Sequence, residues 1–370
     1  MKILILSCGT GEGHNSAAKA LAANLKERGM DCEIKDSVSF KSDKAQRKAV
    51  SLYNNLIKTS PFIFGCVYKL GVLYDDLRLP SPVYSYHARY AEKLYSYIKE
   101  GGYDLVICTH TYSMQTMTAV RRKCAPELPC YGVLTDYTAI PFYKETDLDG
   151  YFIANEKTRE QLLKKGKRQE KIFCSGIPVD RKFSAGISKE EAKAILSLPQ
   201  DKKIFMVMSG GVGCGKIEKL TNALNKATSD DVRIYVFTGK NERLKNCLEK
   251  RFSDNDKFRF VGFTSDVDKY LKAADIVFSK PGGLSSTEIA VANVPYIQLK
   301  AIPGCETQNK RYFTKHGLSL YAGSTKTAVK KAMFAINDES VLAAMVERQK
   351  KIIPSDSADM IINKIMEFQK

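Results

Sequence analysis

The chain has 370 residues, 44% of them hydrophobic and 27% charged, with a formal net charge of +17. That composition supplies core for two domains and excludes a disordered or low-complexity chain. The positive excess favours polyanions, anionic lipid surfaces or phosphorylated substrates, with solvated lysine faces as the plain alternative.

No run approaches the roughly 18–20 apolar residues of a membrane span. The ten cysteines contain no CxxC pair, so reduced, largely buried thiols in a cytoplasmic protein are expected. In chain order, short apolar runs predict strands at 2–7, 31–36, 104–108, 130–134, 151–154 and 172–175. A second set is predicted at 204–208, 233–237, 258–261, 275–278 and 295–299. Helical spacing fills the intervals, as in 16–28, where Ala18, Leu21, Ala22 and Leu25 share a face and Gly29 follows as a cap. Alternating strands and helices predict an α/β fold of two Rossmann-like domains facing across a cleft. The predicted divisions are 1–180, 181–353 and a terminal helix in 354–370 that returns to the first domain.

Four positions draw attention along the way. The first strand runs into "SCGTGEGHNS", in which Gly9, Gly11 and Gly13 lead to His14, one of four histidines. A phosphate cradle has no use for an imidazole there; a site that moves a proton does. Residues 39–98 break the alternation and carry Phe62, Phe64, Tyr68, Tyr74, Tyr84, Tyr86, Tyr90, Tyr95 and Tyr97 among Lys58, Lys69, Arg78, Arg89 and Lys93. This suits a membrane interface or a helical lid.

"SGGVGCGKI" at 209–217 nearly spells a nucleotide-binding loop, but Ile217 stands where the metal-binding hydroxyl belongs. Ser209, Gly210 and Gly211 then read as a turn that lets backbone approach a ligand. Finally, "KPGGLSSTE" at 280–288 predicts a helix starting near Ser285 or Ser286, whose first amides would hold a diphosphate. Glu288 is either a capping residue or a ribose ligand. Glu306, Gln308 and Asn309 in the next loop are of the kind that grips sugar hydroxyls.

In order, "GEGHNSAAKAL" at 11–21, "TDY" at 135–137, "GIP" at 176–178, "KPGG" with Glu288, and "PGCE" with Asn309 resemble one family. It is the monogalactosyldiacylglycerol synthase and processive diacylglycerol glucosyltransferase family, related to the lipid II N-acetylglucosaminyltransferase. The resemblance spans roughly residues 1–350. It implies a GT-B inverting glycosyltransferase that moves a hexose from a UDP-sugar to a lipid acceptor, diacylglycerol, on the inner face of the cell membrane. His14 would be the general base, with Gly13 near the sugar and Asp136 as the second candidate or orienting partner.

Lys280, Gly282, Gly283, Leu284, Ser285 and Ser286 would hold the diphosphate. Glu288 would bind ribose, Glu306 and Asn309 the sugar, and the backbone from Val261 to Phe263 the uracil. The chain departs from the family pattern at Cys305, where glutamine is usual, and at Asp180, with Arg181 one step along as the diphosphate contact. It also departs in "YTAIPFY" after Asp136. No cofactor and no metal are expected, the D-x-D spellings (Asp147/Asp149, Asp254/Asp256, Asp266/Asp268) being common by chance; nor is a nucleic-acid partner. Competing readings are a GT-B enzyme with another acceptor, a UDP-sugar epimerase, and a non-enzymatic protein that binds lipid surfaces. The donor sugar, glucose, galactose or N-acetylglucosamine, is left open.

Overall fold

The computed structural model describes residues 1–369 apart from 10, 43, 45, 48–50, 53–54, 56–59, 76–80 and 209–216. Ser209, Gly210 and Gly211, singled out above, therefore lie outside the described residues, as do Lys58 and Arg78 and the side chain of Phe64. The chain divides into two compact units. One comprises Met1–Asp180, Pro303–Cys305 and Asp356–Lys370; the other comprises Arg181–Ile302 and Glu306–Ser355.

The first unit is built on a six-stranded sheet of order β2-β1-β3-β4-β5-β6. Its strands are β1 (Lys2–Ser7), β2 (Asp31–Asp36), β3 (Leu105–Cys108), β4 (Cys130–Val133), β5 (Gly150–Ile153) and β6 (Ile172–Cys174). All neighbours are parallel. Helices cover both faces, so strands such as β3 are buried at every residue, which is why they read as unbroken apolar runs. On one face Leu21 and Leu25 of the helix Glu12–Glu27 pack with Ile361, Ile362 and Ile365 of the helix Ser357–Phe368 against Ile3, Ile5 and Ile107. Arg28 and Asn24 both reach Asp359, at 2.6 and 2.9 Å, and tie these two helices together.

The second unit repeats the plan in the order β12-β11-β10-β7-β8-β9. Its strands are β7 (Lys203–Met208), β8 (Val232–Gly239), β9 (Phe258–Gly262), β10 (Ile276–Ser279), β11 (Tyr296–Gln298) and β12 (Leu320–Tyr321). They too are parallel throughout. The edge strand β12 has no counterpart in the sequence reading, because two half-buried residues carry no periodicity.

The helix Glu12–Glu27 starts four residues earlier than predicted. Gly11 takes φ +108°, a conformation open to glycine, and the helix begins straight after it. His14 consequently sits inside the first turn rather than in a loop ahead of it. In the insertion, the helix Pro61–Asp75 is fastened at its end: Asp75 accepts from the Phe142 amide at 3.0 Å and is ion-paired with Lys165. Its glycines face inward, a Cβ on Gly71 falling 3.3 Å from Pro141. Phe62, Ile63, Leu70 and Leu73 are exposed. The aromatic residues of the insertion therefore split: Tyr90 is buried and Tyr97 hydrogen-bonds Glu33 at 2.7 Å, whereas the helix Pro61–Asp75 turns its apolar side to solvent.

Candidate functional site

In a doubly wound parallel sheet, ligands gather at the carboxyl ends of the strands, where the strand order reverses. In the first unit that point lies between β1 and β3, and three strand ends meet there. After β1, His14 projects from the opening turn of its helix. After β3, Thr109 places its carbonyl oxygen 3.1 Å from His14 Nδ1 and donates its hydroxyl to the His14 carbonyl at 3.1 Å. After β4, Thr135 Oγ1 lies 2.7 Å from the same Nδ1. A carbonyl oxygen only accepts, so Nδ1 carries the proton and Nε2 keeps its lone pair. Among the described residues none hydrogen-bonds Nε2.

Burial lowers the His14 pKa to about 4, the Thr109 hydrogen bond opposing that shift in part. The imidazole is therefore neutral at pH 7, and its free nitrogen can accept a proton. His110 stands edge-on to it, with ring centroids 4.4 Å apart. The backbone ahead of His14 is held by Asp36, which accepts from the Gly9 amide at 2.8 Å.

Asp136, singled out as second base or partner, is half-buried in the bend after β4. The side chain of this segment that meets the imidazole is that of its neighbour Thr135. Thr109 and Thr135 are thus functional candidates that the sequence reading missed. The signal available was position alone, since both follow predicted strands at the carboxyl edge. His87 stacks on Tyr112 with ring centroids 4.3 Å apart.

In the second unit the order reverses between β7 and β10. The loop after β10 is the "KPGG" turn, and the helix Gly283–Val291 follows directly with Gly282 as its N-cap. It thus starts two to three residues before the predicted Ser285 or Ser286. Gly282 offers no side-chain cap, and a Cβ built there would meet nothing within 4 Å. The Ser286 amide is spent on the Gly282 carbonyl at 3.0 Å, so the amides without an intrahelical partner are those of Gly283, Leu284 and Ser285. An anion placed there meets NH groups and the positive end of the helix dipole.

Three expectations change as a result. Ser286 is fully buried with its hydroxyl 3.3 Å from Tyr296 Oη, so it braces the turn and is not a diphosphate ligand. Asn309 is fully buried and donates to the Pro281 carbonyl at 3.2 Å, so it too supports the turn and is not open to a sugar. Glu288 falls in the second helical turn, too late for a capping box, and stays half-buried.

Glu306 accepts from the Ile302 amide at 2.7 Å, and its other oxygen lies 3.8 Å from Lys280 Nζ. Arg181 is exposed in the short 3₁₀ turn Arg181–Phe183, which packs against the helix Gly283–Val291. Val261 ends in a carbonyl that accepts from Thr238 at 3.3 Å, and Phe263 is 75% exposed beneath Lys240.

Among the described residues no group of three His, Cys, Asp or Glu side chains is arranged to hold a metal. Of the D-x-D residues, Asp149 binds Arg121 at 2.8 Å, Asp266 binds Lys269 at 2.6 Å and Asp268 lies 3.5 Å from Lys182. No described helix is long and apolar enough to cross a membrane. Of the described cysteines, Cys8, Cys108 and Cys130 are buried whereas Cys66, Cys174 and Cys247 are exposed, so the thiols are less buried than expected.

Residues 14–179 match the monogalactosyldiacylglycerol (MGDG) synthase family, and residues 205–351 match the glycosyltransferase family 28 C-terminal domain. The chain thus pairs an N-terminal part that matches the MGDG synthase family with a C-terminal part that matches a glycosyltransferase domain. A processive diacylglycerol beta-glucosyltransferase of Bacillus licheniformis is 27% identical over 369 residues, covering 99% of this chain and 94% of that protein. Among solved structures, MurG of Acinetobacter baumannii superposes with a TM-score of 0.65 at 13% identity, covering 99% of both chains. Anabaena Alr3699/HepE in complex with UDP gives 0.59 at 12% identity, covering 99% of this chain and 100% of that one. The two sheets described above are thus the two halves of a GT-B glycosyltransferase. The first family match opens at His14 itself, and the second takes in both the "KPGG" turn and Glu306.

Proposed function

We propose that this protein transfers a hexose from a UDP-sugar to diacylglycerol at a membrane surface, with inversion, and that His14 is its general base. The observation that carries the reading is the imidazole held by Thr109 through Nδ1, which leaves Nε2 as acceptor. The acceptor hydroxyl gives its proton to Nε2 while its oxygen bonds to the anomeric carbon. The bond from that carbon to the diphosphate oxygen breaks, and UDP leaves on the opposite face. An α-linked donor thereby yields a β-glycoside.

The charge that grows on the departing diphosphate is met by the amides of Gly283, Leu284 and Ser285, already aimed before reaction. Lys280 and Arg181 add positive charge at the same turn, and Glu306 takes sugar hydroxyls. Diacylglycerol as acceptor is supported by the Bacillus relative, a processive diacylglycerol beta-glucosyltransferase. Access to it is supported by the exposed Phe62, Ile63, Leu70 and Leu73 on one helix of a chain with net charge +17.

The test is a radiolabel assay that pairs a panel of UDP-hexoses with vesicles containing diacylglycerol. Wild type should form a glycolipid, and His14→Ala should lose about a thousandfold in rate, the usual range for a general base being 10² to 10⁴. Equal transfer by a folded His14→Ala protein would end the proposal.

A further inference from the structure

We propose that His110 is a positioning residue for His14: its buried ring, clamped to the start of its own helix, covers one side of the imidazole and holds it with Nε2 presented. This rests on the reading of His14 as the base. His110 is the N-cap of the helix Thr111–Lys123, and its Nδ1 accepts from the Tyr112 amide at 3.0 Å. That bond fixes the ring's direction and requires Nδ1 to be unprotonated. Short oxygen-bearing side chains cap helices well, so capping alone gives no reason for a histidine here. The ring is what histidine adds.

It is 7% exposed and stands at 82° to the His14 ring. The residue before it grips His14 twice, through the Thr109 carbonyl and hydroxyl, so one short segment fixes the base by backbone, hydroxyl and ring together.

Behind His110 the packing continues without a break. Tyr112 lies 4.5 Å from the His110 ring and stacks on His87 at 4.3 Å; His87 Nδ1 bonds the Tyr90 hydroxyl. Among the described residues, the titratable groups that bear on this ladder are His14 from the helix Glu12–Glu27, His87 from Pro82–His87, Tyr112, Tyr90 and Tyr86, Cys8 beyond β1, Asp36 after β2, and Lys41. Burial first, and then repulsion from His14 and His87, holds His110 well below the ordinary histidine range. Burial and the Lys41 charge do the same to His87. Every member of the ladder is neutral at pH 7, so it covers one side of the half-buried His14 without offering it a counter-ion.

The chain has only four histidines, so imidazole resonances can be assigned by single substitutions and followed through a pH titration. His110→Asn keeps an acceptor for the Tyr112 amide but removes the ring. The His14 midpoint should then rise by about one unit or more, and the acid limb of kcat/KM should move with it, a loss of about tenfold at the foot of the profile. His110→Phe keeps the ring and should leave the His14 midpoint within about 0.3 units of wild type. Should the Asn variant melt early, His110→Ser, another capping residue without a ring, carries the same expectation. The proposal is overturned if the ringless variants leave both midpoint and acid limb in place, or if Phe shifts them as far as Asn. A His14→Ala protein that still transfers sugar would instead remove the base, whatever the titration shows.

Discussion

Acid should destabilise the first unit through its buried neutral histidines, and His87 isolates the effect. It is 4% exposed, and burial together with Lys41 lowers its pKa from 6.5 to about 4. The folded state therefore binds fewer protons than the unfolded chain between those values. Stability is full above pH 6.5, falls as pH drops through that value, and stops falling below pH 4. Linkage puts the loss at about 2 kcal/mol between pH 7 and pH 5, and at about 3 kcal/mol once both states are protonated.

His87→Phe removes the titration and keeps a ring against Tyr112. It also costs the bond to the Tyr90 hydroxyl, but that offset is the same at every pH and cancels in a difference. Urea unfolding, followed by tyrosine fluorescence because the chain has no tryptophan, should show the variant gaining about 2 kcal/mol on wild type as pH goes from 7 to 5. That gain is roughly 1 M in midpoint for an m-value near 2 kcal/mol/M. A gap between the two proteins that stays constant with pH would refute the argument, because it would mean His87 titrates alike in the folded and unfolded chain.

Two other substitutions test the remaining parts of the site. Gly282 has an ordinary φ of −70° and open space around its missing Cβ, so Gly282→Ala should leave unfolding within about 0.5 kcal/mol of wild type. By crowding the diphosphate amides it should raise the donor KM about tenfold, which corresponds to about 1.4 kcal/mol; an unchanged KM would take the donor away from this turn. Phe62→Ser with Leu73→Ser removes two exposed apolar side chains of the helix Pro61–Asp75. The pair should leave the melting curve alone while reducing sedimentation with anionic vesicles at least fivefold, burial of each apolar chain in lipid contributing about 1.5–3 kcal/mol. Undiminished vesicle binding would move membrane contact to another surface.

The sequence by itself determined the two sheets, the strand edges to within a residue or two, and the two glycine turns that end β1 and β10. Those features are local: a strand covered on both faces must be apolar throughout, and a turn where backbone approaches a ligand must lack side chains. It also singled out His14, because a glycine turn that cradles phosphate has no use for an imidazole. The tertiary structure alone decided what surrounds that ring. Thr109, His110 and Thr135 lie 95, 96 and 121 positions beyond His14 in the sequence and come together only because β3 and β4 are laid beside β1 in a parallel sheet. Asn309 and Ser286 looked like ligands by residue type and proved to be braces, since whether an amide or hydroxyl faces a ligand or the core depends on which neighbour already holds it. Spacing along a chain fixes periodicity and turns; the partner of a polar group is fixed by strands that meet across a hundred residues.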